Sequence, residues 1–155
     1  MTNTNSELED VTPEPEDLIK SIAEQGYRLE TAIADLIDNS ISADADKIEV
    51  LLDTNTQPFT MFIADNGSGM TEEELKSAMR FPSSSMEQIR GKSDLGRFGL
   101  GLKTASFSQS RCFSVISRKR EIEEFRGRTW DVALLRERGW VLKKENAAEI
   151  EGLLS

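Results

Sequence analysis

Three short segments of the chain contain residue types at spacings that could support chemistry on a small charged ligand. The first is ADLIDNS, residues 34–40, in which Asp35 and Asn39 are four residues apart. On a helix this spacing places both side chains on one face, with Leu36 and Ile37 on the other. A carboxamide oxygen can ligate Mg²⁺, and a carboxylate one turn away can act as a base toward water. The alternative is an ordinary solvated polar face.

The second segment is DNGSGM, residues 65–70, which directly follows the apolar run 59–64. Gly67 and Gly69 are two residues apart, so the backbone can adopt positive φ and approach a flat ligand closely. Asp65, at the end of a predicted strand, can accept a hydrogen bond from an exocyclic amine. The alternative interpretation is an ordinary glycine turn.

The third segment is GRFGLGLKT, residues 96–104, which leads into a predicted helix. Free amides at a helix N-terminus bind anions. The glycine order GxxGxG differs from the dinucleotide fingerprint GxGxxG. It also differs from a P-loop, in which glycine directly precedes lysine, because Leu102 stands between Gly101 and Lys103 here. The segment therefore predicts a phosphate-binding loop of another design.

Hydrophobic periodicity predicts the elements that position these segments. A helix begins at Asp17 and is interrupted by Gly26, and the Thr71 side chain is expected to cap a short helix. Further helices are predicted at 28–40, 102–108 and 145–154, and strands at 47–53, 59–64, 112–116 and 124–134. The first two strands, joined by a turn over 55–58, are predicted to pair as an antiparallel hairpin. The order predicts an α+β fold, a two-layer α/β sandwich whose mixed, mostly antiparallel sheet is covered by helices on one face.

Length and composition restrict the class of protein. The 155 residues predict a disordered acidic lead-in over 1–15 and a single domain over 16–155. Histidine is absent, and the single cysteine, Cys112, excludes a disulfide framework and a cysteine-rich zinc site. The net charge of −9 argues against a uniformly basic nucleic-acid binder. No secretory signal pattern or membrane-length apolar run is present, which predicts a cytoplasmic protein that does not enter membranes.

Charge is distributed unevenly along the chain. Residues 1–75 contain 18 acidic and 3 basic residues, whereas residues 76–155 contain 10 acidic and 16 basic residues. Such an arrangement could serve a metal-bound polyphosphate, with carboxylates and amides near the cation and basic groups near the phosphates. The alternative is two separate solvated faces.

With its three segments in this order, the chain resembles the GHKL superfamily of ATP-binding domains. The superfamily includes gyrase-type topoisomerases, ninety-kilodalton heat-shock chaperones, histidine kinases and MutL, and its nucleotide site is called the Bergerat fold. The resemblance covers roughly residues 18–117. Within the superfamily the chain looks most similar to MORC-type and MutL-type ATPases, because GLKTAS occupies residues 101–106.

The resemblance implies a site for ATP and Mg²⁺. Asn39 would ligate Mg²⁺, Asp65 would accept the adenine amino group, and residues 82–95 would form a lid. Backbone amides of the third segment would bind the phosphates, and Lys103 would add positive charge. The implied nucleotide-binding residues are Asn39, Asp65, Gly67, Gly69, Met70, Gly96, Phe98, Gly99, Leu100, Gly101, Leu102 and Lys103.

Two departures from the family pattern bear on catalysis. Asp35 stands where hydrolysing members usually carry a Glu, and its side chain is one methylene shorter. Because a base must come within about 2.6–3.2 Å of its water, the shorter side chain favours slow hydrolysis. The chain also looks minimal or truncated at its C-terminus, without the following domain whose lysine reaches the γ-phosphate. We therefore expect a nucleotide-dependent switch with slow hydrolysis, completed by a protein partner or a further domain. The alternatives are a histidine- or serine-kinase-type catalytic domain and an interaction domain without nucleotide affinity.

Overall fold

The computed structural model describes residues 9–25, 27–81 and 101–155, and in these residues the chain forms six helices and five strands. The helices are α1 Pro15–Ala23, α2 Leu29–Ser42, α3 Glu72–Met79, α4 Gly101–Gln109, α5 Val132–Arg138 and α6 Ala147–Leu154. The strands are β1 Ile48–Asp53, β2 Thr60–Asp65, β3 Cys112–Ser117, β4 Arg126–Asp131 and β5 Lys143–Glu145. The predicted α+β class is confirmed. None of the described helices is both long and apolar enough to cross a membrane.

The five described strands form two antiparallel sheets rather than the one continuous sheet expected. Strands β1 and β2 form the predicted hairpin, in which Val50 pairs with Ile63. In the second sheet β4 lies between β3 and β5. The loop after Asp65, and not a strand, connects the first sheet to the second. In this loop the Met70 amide donates to the hydroxyl of Ser117, the last residue of β3, over 2.9 Å.

The core forms where four helices pack around β4. Amphipathic spacing gives α3 two fully buried side chains, Leu75 and Met79, and these contact Phe107 of α4 and Trp130 of β4. The Trp130 indole N–H donates to the Met79 carbonyl over 2.9 Å, so its polar atom is satisfied inside the core. Helices α1 and α5 complete this cluster. The core thereby packs α3 and α4 into one hydrophobic cluster.

The C-terminal region differs most from the sequence prediction. The strand expected over 124–134 ends at Asp131, whose carboxylate accepts from the Ala133 amide over 2.8 Å and begins α5. Helix α5 was not predicted, because a short apolar run such as 132–135 fits a strand or a helix equally well. Strand β5 was not predicted either, since its three residues are all charged and show no apolar alternation. Helix α6 begins after Asn146, which forms a capping box with Glu149.

Ion pairs join the acidic half of the chain to the basic half. Glu16 of α1 pairs with Arg111 and Arg136, and Glu74 of α3 pairs with Lys119. Glu72 contacts a second group of basic residues, namely Arg126, Arg128 and Lys144. The uneven charge distribution therefore serves, in part, the docking of the two halves onto each other.

Candidate functional site

Helix α2 carries the first candidate segment. Its residue Ala32 is fully buried, and the helix packs against α4 and β2. Asp35 is half-buried and Asn39 is exposed. One turn of helix separates them, as the spacing predicted, so a carboxylate and a carboxamide lie on the same side of α2.

Asp65, the last residue of β2, has both carboxylate oxygens fixed by hydrogen bonds. The buried hydroxyl of Ser40 donates to Oδ2 over 2.8 Å, and the Gly67 amide donates to Oδ1 over 2.9 Å. A carboxylate offers about four lone-pair positions, so acceptor capacity remains for another donor. Asp65 is exposed to solvent. The first and second segments thus meet at an oriented acceptor, through the hydrogen bond from Ser40 to Asp65.

Two positions in the turn after Asp65 require glycine. Gly69 has φ +67°, and a Cβ there would lie 1.7 Å from the Arg118 carbonyl oxygen. Gly67 is buried, and a Cβ there would lie 2.8 Å from the Ala43 carbonyl oxygen. At both positions the close approach is made to the protein's own backbone, whereas the sequence predicted it toward a flat ligand.

The turn is also held by side chains. The Asn66 carboxamide oxygen accepts from the amides of Asp46 and Lys47, and its nitrogen donates to the Asp46 carboxylate over 2.6 Å. The Arg120 guanidinium donates to the carbonyls of Asn66 and Gly67 over 2.9 and 3.3 Å. These contacts fix the backbone that presents Asp65.

The third candidate segment is described only from Gly101 onward. Gly101 is exposed at the start of α4, and Leu102 is half-buried against the core. Lys103 is 1% exposed, and its ammonium donates to the Ala78 carbonyl over 2.6 Å. Burial lowers the pKa of Lys103 to about 8. Gly96, Phe98, Gly99, Leu100 and the expected lid at 82–95 lie outside the described residues.

Two residues near the candidate site had no role in the sequence analysis. Ser40 lies within the first segment, but only the fold shows that its hydroxyl meets Asp65. Tyr27 lies ahead of α2, and its hydroxyl donates to Asp35 Oδ2. Because Tyr27 precedes the helix, helical spacing gave no signal for this contact.

The chain belongs to the family of histidine kinase-, DNA gyrase B- and HSP90-like ATPases. A model of this family matches residues 27–155, which include the oriented Asp65, Asn39 and the start of α4. The GHKL resemblance drawn from the three segments is confirmed. The domain is therefore of the GHKL ATPase type, a class that binds nucleotides.

Several MORC ATPases are related to this chain. It is 34% identical to ATPase morc-1 of Caenorhabditis elegans over 90 residues, which are 57% of this chain and 10% of the worm protein. It is 30% identical to mouse ATPase MORC2B over 91 residues, 57% of this chain and 9% of that protein. It is 27% identical to human ATPase MORC2 over 93 residues, 58% of this chain and 9% of that protein. The chain thus matches about a tenth of the length of these relatives.

Proposed function

We propose that this domain binds ATP together with Mg²⁺ and acts as a nucleotide-dependent switch with slow or partner-dependent hydrolysis. The observation that carries the proposal is the Asp65 carboxylate, which two donors orient while it stays exposed. An acceptor fixed before the ligand arrives loses little freedom on binding, which favours affinity.

Asp65 also favours adenine over guanine as the bound nucleobase. The exocyclic amine of adenine can donate to the carboxylate, whereas guanine places a carbonyl oxygen at the equivalent position. A carboxylate facing that oxygen would leave two acceptors opposed without a proton between them, which costs free energy when both lose water. Adenine nucleotides are therefore the ligands that this site fits, with Gly69 and Met70 flanking the base.

Asn39 fits a magnesium ion that the nucleotide itself helps to hold. It is exposed on α2 and directly precedes Ser40, the residue bonded to Asp65. Within the part of the chain that the structure describes, no cluster of three His, Cys, Asp or Glu residues could hold a metal. Mg²⁺ commonly takes few protein ligands and completes its coordination with phosphate and water oxygens. When bound, the ion would neutralise phosphate charge.

We assign phosphate binding to the N-terminus of α4 and the glycines ahead of it. The first amides of a helix have no intrahelical partner, so those of Gly101 and Leu102 suit an anion. The family resemblance adds Gly96 and Gly99. Lys103, by contrast, we assign to anchoring α4 on α3, because its ammonium is buried and bonded to Ala78.

Asp35 is the proposed base for hydrolysis. It is half-buried on α2, one turn from Asn39, so its carboxylate can approach a water molecule beside a bound phosphate. Its shorter side chain favours slow turnover, which a partner or a further domain would raise.

Calorimetric titration with ATP and ADP, with and without Mg²⁺, tests the proposal. We expect ATP to bind the native chain more tightly when Mg²⁺ is present, and Asn39→Ala to lose that dependence. The control Asp38→Ala, an exposed neighbour on α2, should keep it. Absence of ATP binding by the native chain would refute the proposed function. An unchanged Mg²⁺ effect in Asn39→Ala would refute only the metal assignment.

A further inference from the structure

Tyr27 contacts the residue to which we assign proton abstraction. It is the only tyrosine of the chain and stands two residues before the start of α2. Its hydroxyl donates a hydrogen bond to Asp35 Oδ2, and both side chains are half-buried. The contact spans eight residues, so it ties the segment ahead of α2 to the second turn of that helix.

The backbone of Tyr27 is held by a residue of α4. The Gln109 side-chain amide, at the end of α4, donates to the Tyr27 carbonyl over 3.1 Å. Helices α2 and α4 also pack against each other. Tyr27 therefore contacts both helices of the candidate site, α2 through its hydroxyl and α4 through its carbonyl. These two contacts fix the position of the phenol.

We propose that Tyr27 is a positioning residue, which holds the Asp35 carboxylate in the orientation that water activation requires. The proposal rests on the proposed function, in which Asp35 is the base. With Oδ2 occupied by the phenol, Oδ1 accepts the proton as the water oxygen bonds to the γ-phosphorus. The bond from that phosphorus to the β–γ bridging oxygen breaks, and ADP and phosphate result.

The physical need for such a residue follows from the length of the aspartate side chain. A base displaced by about 1 Å can cost a hundredfold in rate. Asp35 has less reach than the Glu of related ATPases, so few of its rotamers would bring an oxygen to the water. A hydrogen bond from Tyr27 to one carboxylate oxygen restricts Asp35 to a single rotamer.

The single tyrosine allows the contact to be tested without nucleotide. The hydrogen bond from Tyr27 to Asp35 is the main cause that raises the pKa of the phenol above its ordinary value of 10.0, followed by burial and the Asp35 charge. Tyrosinate absorbance near 295 nm during an alkaline titration reports this one residue. We expect Asp35→Asn to lower the midpoint and the control Asp38→Asn to leave it unchanged. Equal midpoints in native and Asp35→Asn proteins would overturn the contact.

Single-turnover hydrolysis tests the positioning role. Tyr27→Phe should bind ATP within about twofold of the native chain but hydrolyse it roughly tenfold more slowly or worse. A merely structural role would instead weaken binding and hydrolysis in parallel. A Tyr27→Phe rate equal to or above the native rate would overturn the proposal, as would a native chain that binds ATP without ever hydrolysing it.

Asp35→Asn separates this proposal from the proposed function. If that variant hydrolyses ATP as fast as the native chain, Asp35 is not the base and the positioning role falls with it. If the native chain does not bind ATP, the proposed function fails, and the positioning role for hydrolysis fails too. The tyrosine titration would then still report whether Tyr27 bonds to Asp35.

Discussion

Within the described residues, the two ends of the candidate site are held in different ways. At the base-binding end, which comprises Ser40 and the turn 65–70, hydrogen bonds and close backbone packing fix the Asp65 carboxylate. At the phosphate-facing end, Asn39 is exposed and Asp35 is held by Tyr27. Under the proposed function, base recognition therefore rests on a backbone turn that is fixed before nucleotide binds, whereas hydrolysis rests on the single described contact between Tyr27 and Asp35.

The largest effect is expected from breaking the base-binding end at Gly69. Gly69→Val introduces a side chain at φ +67°, where its Cβ would overlap the Arg118 carbonyl oxygen. The strain and the clash should lower the free energy of unfolding by about 2–4 kcal/mol, measured by urea denaturation. The matched control is Gly152→Ala in α6, where a Cβ meets open space and should stabilise by roughly 0.5–1 kcal/mol. Equal stabilities of Gly69→Val and the native chain would contradict the described turn.

The next effect concerns affinity rather than stability. Asp65→Asn removes the carboxylate and places an amide opposite two donors, which should weaken ATP binding by about 1–3 kcal/mol, or roughly 5- to 150-fold. Ser40→Ala removes only one supporting hydrogen bond. It should therefore weaken binding less, by about 1 kcal/mol. Calorimetric titration of both variants checks the order, and a larger loss for Ser40→Ala would show that Asp65 is not the direct contact.

Lys103 is expected to affect the pH dependence of stability. Burial lowers its pKa from 10.5 to about 8, so between these values the unfolded chain binds more protons than the folded chain. The unfolding free energy contributed by this group therefore rises with pH over that window. Lys103→Met should lose this rise, while Lys76→Met, exposed on α3, should retain it. The same slope in native and Lys103→Met proteins, measured by denaturation from pH 8 to 10, would refute the buried ammonium.

The smallest effect is expected at the partly exposed ion pairs of Glu72. Hydrogen bonds from Lys144 and then Arg128 lower the pKa of Glu72 from 4.5 to about 2. Its contribution to stability is therefore present above pH 4.5 and lost as the pH falls toward 2. Glu72→Gln should flatten the acid dependence of the unfolding midpoint slightly, because the Glu72 and Lys144 side chains are 34% and 62% exposed and solvent screens their pairing. Glu73→Gln, exposed in the same helical turn, serves as the control and should unfold like the native chain.

Local patterns predicted much of the fold, because short-range signals determine those elements. The Thr71 cap was predicted from its position before three glutamates, and the structure shows the full capping box with Glu74. The hairpin of β1 and β2 followed from two apolar runs and a turn. The strand over 124–134 was wrong beyond Asp131, because only the packing of Val132 and Leu135 into the core decides that α5 is a helix.

The candidate site was less predictable than the fold. The sequence contained Asp35, Asn39 and Asp65, but their partners are distant in the chain. Ser40 lies 25 residues before Asp65, so no local pattern joins them. Lys103 was expected near the phosphates, and its contact with Ala78 depends on how α3 and α4 pack. The hydrophobic spacing within one helix or strand does not indicate which side chains of another element it will contact.

The most direct test of the central claim is a comparison of ATP and GTP binding to the native chain in the presence of Mg²⁺. An oriented Asp65 carboxylate predicts that ATP binds and that GTP binds at least about tenfold more weakly, since guanine cannot donate at that position. Asp65→Asn should narrow the difference between the two nucleotides. Equal affinity of the native chain for ATP and GTP would contradict the assignment of Asp65 to the base.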